Sequence, residues 1–390
     1  MKPIVYYDDN PSEMYFQAIT DLVNRGEEVF PKGKRIKELR PVIFGYKNPL
    51  KRVTFLKGRV INPFFQLAEA YWIATGGSDV GSLTDYNKSI AQFSDDGKYF
   101  NAPYGERLRH WGKNDARGVQ GINLDQLVDV YKKLLSDPDT RQAVAFIGNP
   151  EFDNSEYTLN KGKDIACNLN IKFKIRQGKL DINVDNRSND LHWGVFGANL
   201  CQFSTIQELM ASWLEVGVGE YFQSTDSLHI YMDDFGAKIT DKVLDAYKGY
   251  YPEGKKIEEF YFENEPRFSC SLEEFKAMQE IFNKVINPLL TTDEIYERSA
   301  TFQSMLDLIS SVTTDEYLRL TFYAMAVKQA HNRDKVNMIL EGLDRMPMCG
   351  WKISCLRWLY ARHGNASSFR DICNELPTKS MRDYVMRRDM

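Results

Sequence analysis

Apolar residues fall at helical spacing over residues 123–136, where Leu124, Leu127, Val128, Tyr131, Leu134 and Leu135 share one face. Asn123 can cap that helix, with Gln126 at the capping-box position, and Asp137-Pro138 ends it because a residue before proline is pushed out of the helical region. The period then changes to two. Ile171, Phe173 and Ile175 alternate with Lys172 and Lys174, and after Arg176-Gln177-Gly178-Lys179 the alternation resumes at Leu180, Ile182 and Val184. That pattern predicts a β-hairpin with one buried face. From Asn199 to Glu215 the spacing of Leu200, Phe203, Ile206, Met210, Trp213 and Leu214 is helical again, and Gly217 stops it. Helices and strands mixed without a βαβ rhythm point to the α+β class.

Beyond about residue 290 the strand signal is lost. Thr291 with Glu294 and Thr313 with Glu316 are two capping-box starts, and the segments after them are rich in Leu, Met, Tyr and Ala at helical spacing. Residues 291–390 carry 14 Lys/Arg against 13 Asp/Glu, so they read as a near-neutral helical extension after a first domain of residues 1–290. A chain of 390 residues suits one large domain with an appendage.

Composition narrows the function. Apolar residues at 43% and charged residues at 27% are ordinary for a globular protein, and a net charge of −4 excludes nucleic-acid binding driven by bulk positive charge. The start, Met1-Lys2-Pro3-Ile4, reaches Asp8-Asp9 without an apolar core, so no secretory signal is expected, and no window is apolar enough to span a membrane. The six cysteines are scattered with no Cys-x-x-Cys pair, which argues against a disulfide framework and against a structural metal site. Five of them read as reduced thiols of a cytoplasmic protein. The sixth, Cys167, opens a denser segment.

From Cys167 to Tyr231 the chain holds a thiol, the Arg187-Ser188 pair, Asp190, Asn199 after a glycine-rich turn, and His229-Ile230-Tyr231. Taken singly, a cysteine is most often a small core residue, an Arg-Ser pair a piece of surface and a histidine structural. In this order they resemble the thymidylate synthase family, which includes the pyrimidine-nucleotide hydroxymethylases. The resemblance runs over about residues 12–235. It is carried by Asp137-Pro138-Asp139-Thr140-Arg141, Cys167 with Gln177-Gly178-Lys179, Arg187-Ser188-Asn189-Asp190, Gly194 to Asn199, and Gly219-Glu220-Tyr221 leading to His229-Ile230-Tyr231. Phe64 to Trp72 around Glu69, and Pro103-Tyr104-Gly105, match less specifically.

The resemblance implies a mixed β-sheet with flanking helices and assigns roles. Cys167 is the nucleophile that adds to C6 of a pyrimidine nucleotide, so that C5 can attack the one-carbon unit of 5,10-methylenetetrahydrofolate. A thiol with a pKa of about 8.5 needs help to ionise at neutral pH, and Arg187, returning across the hairpin, can supply it. Arg35, Arg187 and Ser188 match phosphate ligands, and Arg141 matches one supplied by a neighbouring subunit, which implies a homodimer. Gln142 stands where the family has a second consecutive arginine. His229 and Tyr231, on one face of a strand, match the pair that holds the sugar 3′-hydroxyl. Asp190 corresponds to the carboxylate that holds the pterin, with Trp193 and Gly194 on the folate side, and Glu69 with Tyr104 to the groups that organise proton transfer. Glu69 could otherwise be a surface carboxylate beside Trp72.

Asn199 corresponds to the residue that reads the base. An amide complements the O4 acceptor and N3–H donor of uracil, whereas cytosine suits a carboxyl group. Counting from Gly194 puts Ala198 at that position. The constant offset of Gly219, His229 and Tyr231 favours Asn199, with Gly197-Ala198 taking up the extra residue as a bulge or tighter turn.

The product follows from what shields the site. Family members that make a methyl group close over it with a tryptophan and a short apolar tail. Here Ser89-Ile90-Ala91-Gln92-Phe93-Ser94 lacks tryptophan, the chain ends Met386-Arg387-Arg388-Asp389-Met390, and Asn168 replaces the family's histidine after the nucleophile, although Trp193 could restore some shielding. A wetter pocket favours a hydroxymethyl product on dUMP over a methyl-forming synthase that releases dihydrofolate, a dCMP hydroxymethylase, or a non-catalytic binding protein on the same fold. The biology implied is that of a virus such as a bacteriophage that builds a modified DNA base in the host cytoplasm.

Overall fold

A computed structural model describes residues 2–113, 121–154, 162–247 and 258–387. The last three residues of the C-terminal tail lie outside the described residues. The chain divides into two compact units, one of Met1–Thr54 with Glu69–Tyr251, the other of Phe55–Ala68 with Pro252–Met390.

The first unit carries ten strands among its described residues: β1 (Ile4–Asp8), β2 (Glu27–Val29), β3 (Ile36–Leu39), β4 (Val42–Tyr46), β5 (Val144–Phe146), β6 (Asn168–Arg176), β7 (Lys179–Asn186), β8 (Asn189–Asp190), β9 (Gly217–Thr225) and β10 (Leu228–Tyr231). Six form a mixed sheet in the order β1-β4-β9-β7-β6-β5, and four form a smaller one, β2-β3-β10-β8. The alternation of the hairpin is realised residue by residue: Ile171 pairs with Val184, Phe173 with Ile182 and Ile175 with Leu180. Gln177 (φ 51°) and Gly178 (φ 70°) turn the chain with the positive φ values that a two-residue hairpin needs.

One face of the large sheet is the core. The row Ala145, Ile171, Val184, Gln223, Phe44 and Tyr6 runs across it, and all six are buried. The helix Leu200–Trp213 packs on this face, with nearly every residue buried, and Gln207 ties it to the carbonyls of Leu180 and Glu220 at 2.8 and 3.1 Å. The predicted helix over 123–136 begins later, at Gln126, and ends at Ser136 as expected. Asn123 (φ 49°) does not cap it; Asp125 does, accepting from the backbone of Val128 at 3.1 Å. Gln126 instead holds both backbone groups of Phe146 on β5. Leu124 and Leu135, placed on the apolar face by spacing alone, are exposed.

In the second unit Phe55 packs edge-on to Phe260 and Tyr384, and Phe64 to Trp358. The expected cap starts are displaced. Thr291 closes a short helix, Asn287–Thr291, with its hydroxyl donating to Asn287, and Asp315, two residues after Thr313, caps the helix Glu316–Asn332 through Leu318 N. A reciprocal capping box forms at Ser271 and Glu274. The helix Glu316–Asn332 is buried almost all round, which is why its sequence shows no clean stripe. Arg357, itself buried, donates to the carbonyls of Val385 and Arg387 and lies over the Tyr384 ring, fixing the final helix, Lys379–Val385.

Candidate active site

Cys167 ends the loop that enters β6, and Arg187 leaves β7 directly beside it, the two backbones joined by Arg187 N–H to Cys167 C=O at 3.0 Å. The guanidinium is anchored by the carbonyls of Ala166 (2.8 Å) and Ile165 (3.0 Å), which leaves Nη2 3.7 Å from the Cys167 sulfur. Arg187 draws the thiol pKa down, as its placement predicts, but burial outweighs it and the net shift is upward, with Asp164 and Asp190 adding to the rise. The guanidinium therefore acts in the expected direction, and desolvation is the larger effect. Ser188 follows, half-buried.

The small sheet adds the next groups. His229 and Tyr231 share a face of β10, their rings 5.3 Å apart and edge to face. Burial raises the Tyr231 pKa, with smaller contributions from Asp190 and Cys167, so the three groups are electrostatic neighbours. Strand β8 lies parallel to β10 and sets Asp190 opposite His229. One oxygen of Asp190 caps the following helix by accepting from Trp193 N at 2.5 Å, and the Trp193 ring stays 39% exposed. Arg35 is brought alongside Tyr231 by the bond from Met232 N to its carbonyl, 2.9 Å, but its side chain pairs with Glu28 at 2.8 Å.

Tyr104 and Glu69 lie on two further helices. Tyr104, which begins the helix Tyr104–Arg109, accepts from Cys167 N at 3.3 Å, and burial pushes its pKa up, so its hydroxyl keeps its proton. Glu69, on the helix Pro63–Ala74, accepts from Gln202 Nε2 at 2.6 Å. Burial drives its pKa up to about 7, against the pull of Gln202. It is no surface carboxylate.

Residues Leu191–Asn199 form a π-helix that runs into Leu200–Trp213. This is the correction to the expected bulge: a wide turn takes up one extra residue while keeping the helix continuous. Asn199 is buried, and its amide is held at both ends, Oδ1 accepting from Asn168 at 3.2 Å and Nδ2 donating to Asn189 at 3.1 Å. Gly194 makes room for this. A Cβ there would lie 2.3 Å from Asn189 Oδ1. Gly194→Ala is therefore expected to displace Asn189, free the Asn199 amide and lower the melting temperature by several degrees, as thermal unfolding reads.

The structure thus gathers Cys167, Arg187, Ser188, Asp190, His229, Tyr231, Tyr104 and Asn199, with Trp193 and Gly194 in the adjoining π-helix and Glu69 joined through Gln202, one turn beyond Asn199. Arg141 does not join them within one chain. The register that pairs Val144 with Lys172 carries Arg141 alongside Ile175, at the hairpin end of β6. Cys167 is at the other end, about 25 Å away at roughly 3.3 Å per residue. Sequence reasoning missed Gln202 and Gln223, both buried. The available signal was an uncharged polar residue at a position whose period calls for an apolar one.

Among the described residues no group of three or more His, Cys, Asp or Glu could hold a metal ion, and no helix is long and apolar enough to cross a membrane. The thymidylate synthase family profile matches residues 15–252, from before the helix Pro63–Ala74 to beyond β10, and takes in the thiol and its neighbouring exposed guanidinium; the chain belongs to that family. Among its relatives, a protein of Bacillus phage SP01 named deoxyuridylate hydroxymethyltransferase is 49% identical over 354 residues, 90% of this chain and 92% of that protein. Proteins of the same name from Pseudomonas phage M6 and Delftia phage PhiW-14 are 30% identical over 83% of this chain and 26% identical over 75% of it, covering 84% and 78% of their own lengths.

Proposed function

We propose that this chain transfers a one-carbon unit from 5,10-methylenetetrahydrofolate to C5 of dUMP and finishes with water, giving 5-hydroxymethyl-dUMP and tetrahydrofolate. The observation that carries the reading is the Cys167 sulfur held 3.7 Å from Arg187 beside the clamped amide of Asn199. The name borne by the phage relatives supports the product.

In the mechanism, Arg187 steadies the thiolate of Cys167 as it adds to C6, and also reaches the nucleotide phosphate with Arg35 and Ser188. Asn199 presents one N–H to O4 and one carbonyl lone pair to N3–H. His229 and Tyr231 take the sugar hydroxyl. Asp190 keeps one carboxylate oxygen beyond its cap, and the exposed Trp193 ring offers a stacking face; with Gly194 they suit a pterin, and the folate supplies the one-carbon unit. Glu69, poised near neutrality, and Tyr104, still protonated, manage the loss of the C5 proton and the entry of water. Cys167 then leaves, and no net oxidation or reduction has occurred. The phage relatives favour action in the cytoplasm of an infected cell.

Incubating dUMP with methylenetetrahydrofolate should yield tetrahydrofolate and a hydroxymethyl nucleotide; dihydrofolate with dTMP would overturn the reading.

A homodimer completes the phosphate site in this proposal, because the exposed Arg141 is too far from the Cys167 of its own chain. The sheet's outer face offers a surface for it, with Tyr7 stacked on Phe222 and Val5 exposed nearby. Arg141→Ala and Cys167→Ala proteins, each nearly inactive alone, are expected to regain about a quarter of wild-type turnover when mixed after partial unfolding, since one mixed site in each heterodimer keeps both groups. A mixture as inactive as its parts would remove the shared site.

A further inference from the structure

The amide of Asn199 belongs to a longer chain. Asn168 Nδ2 donates to Asn199 Oδ1 (3.2 Å), Asn199 Nδ2 to Asn189 Oδ1 (3.1 Å), Asn189 Nδ2 to Gln223 Oε1 (3.0 Å), and Gln223 Nε2 to the hydroxyl of Tyr46 (3.1 Å). All five residues are buried, and every bond runs the same way, from Asn168 to Tyr46. Such a chain behaves as a unit, because turning one amide over sets donor against donor on one side and acceptor against acceptor on the other.

The chain as a whole has two self-consistent directions. At one end the Tyr46 hydroxyl can donate as well as accept. At the other, Oδ1 of Asn168, whose side chain is only 1% exposed, has no hydrogen-bond partner. Reversal therefore breaks nothing at the Tyr46 end, and it gives the Asn168 oxygen a donor while freeing its NH2. What changes is the face shown by Asn199. In the observed direction its amide has one N–H and one carbonyl lone pair left over, the complement of O4 and N3–H of uracil. Reversed, the two exchange places and complement N4–H and N3 of cytosine.

We infer that Asn168 and Asn189 are specificity-determining positioning residues, which set the direction of this hydrogen-bonded chain and so decide whether Asn199 reads uracil or cytosine. The inference rests on the proposed role of Asn199 and deepens it: the base is chosen by the whole chain, and Asn199 only reports its direction. The residue after the nucleophile acts on the base through Asn199, with no direct contact required of it.

Two isosteric changes have opposite expected effects. An ionised carboxylate only accepts. Asn168→Asp makes Asn199 turn its NH2 toward position 168 and reverses the chain, so the dUMP-to-dCMP ratio, in kcat/KM and in nucleotide binding by calorimetry, should fall about tenfold or more. The fall should deepen from pH 6 to pH 9 as the introduced carboxyl ionises. Asn189→Asp accepts from Asn199 as Asn189 already does, so the ratio should stay or rise, with Gln223 alone turning over. An Asn168→Asp protein that folds and keeps the wild-type ratio, or loses both nucleotides equally, overturns the inference, and so does an Asn189→Asp protein that shifts toward dCMP. Should Asn168→Asp fail to fold, the Asn189→Asp ratio decides alone. Wild-type protein that turns over neither nucleotide would instead sink the proposed function.

Discussion

Cys167→Ala is expected to abolish the covalent complex that the proposed function predicts with 5-fluoro-dUMP and methylenetetrahydrofolate, and to lower turnover of dUMP by about four orders of magnitude or more. The size of the effect follows from chemistry: without addition at C6 the ring carbon C5 is a poor nucleophile, and binding groups such as Arg187 and Asn199 cannot substitute for a missing bond. Denaturing gel analysis of the ternary complex reads the first expectation, and survival of the adduct would reassign the nucleophile. The environment of the sulfur adds a pH signature. Burial holds its pKa above the ordinary thiol range even with Arg187 alongside, so kcat/KM for dUMP should climb as pH rises from 6 to 9. Arg187→Ala removes the guanidinium that favours the thiolate and should push that climb to higher pH. A flat profile in both proteins would mean that ionisation of this thiol does not limit the reaction.

Glu69→Gln is expected to lower turnover by two to four orders of magnitude while making the protein more stable at pH 8. The sign follows from linkage. The carboxyl titrates at about 7 in the folded protein against an ordinary 4.5, so the folded state holds its proton over a range where the unfolded chain has lost it. Its contribution is neutral below 4.5, turns unfavourable as pH rises through that window, and levels off above 7, with a full size of roughly 3 kcal/mol from about 1.4 kcal/mol per unit. Glutamine carries no proton to lose and its Oε1 can still accept from Gln202, so the substitution removes the penalty. Thermal unfolding should show the variant raised at pH 8 and close to wild type at pH 4. Equal melting temperatures at both values would place the carboxyl in water, and retained turnover would take it out of the reaction.

What could be read from sequence followed the range of the interactions. The β6–β7 hairpin was legible because alternation and a Gln-Gly turn are local, and Arg187 could be carried back to Cys167 because the hairpin between them has a fixed length. Helix starts were less legible. Asn123 and Asp125, or Thr313 and Asp315, are equally good capping side chains by type, and backbone entry angles set by neighbouring segments decide between them. Asn199 was preferred over Ala198 from the positions of Gly219, His229 and Tyr231, whereas the π-turn before it could not be read, since it leaves no residue signature. The partners of Asn199 were hidden altogether. Asn189 and Gln223 meet only when strand β9 is laid beside β7, and Gln202 meets Glu69 across 133 residues of chain. Nor could any local pattern announce that Phe55–Ala68 belongs with the helices that end the chain.

The wide turn of Leu191–Asn199 has an evolutionary reading. By lodging an additional amino acid without breaking the helix, it leaves the next turn in phase, so Gln202 still meets Glu69. A residue added within this stretch can thus be accommodated while both Asn199 and Gln202 keep their partners.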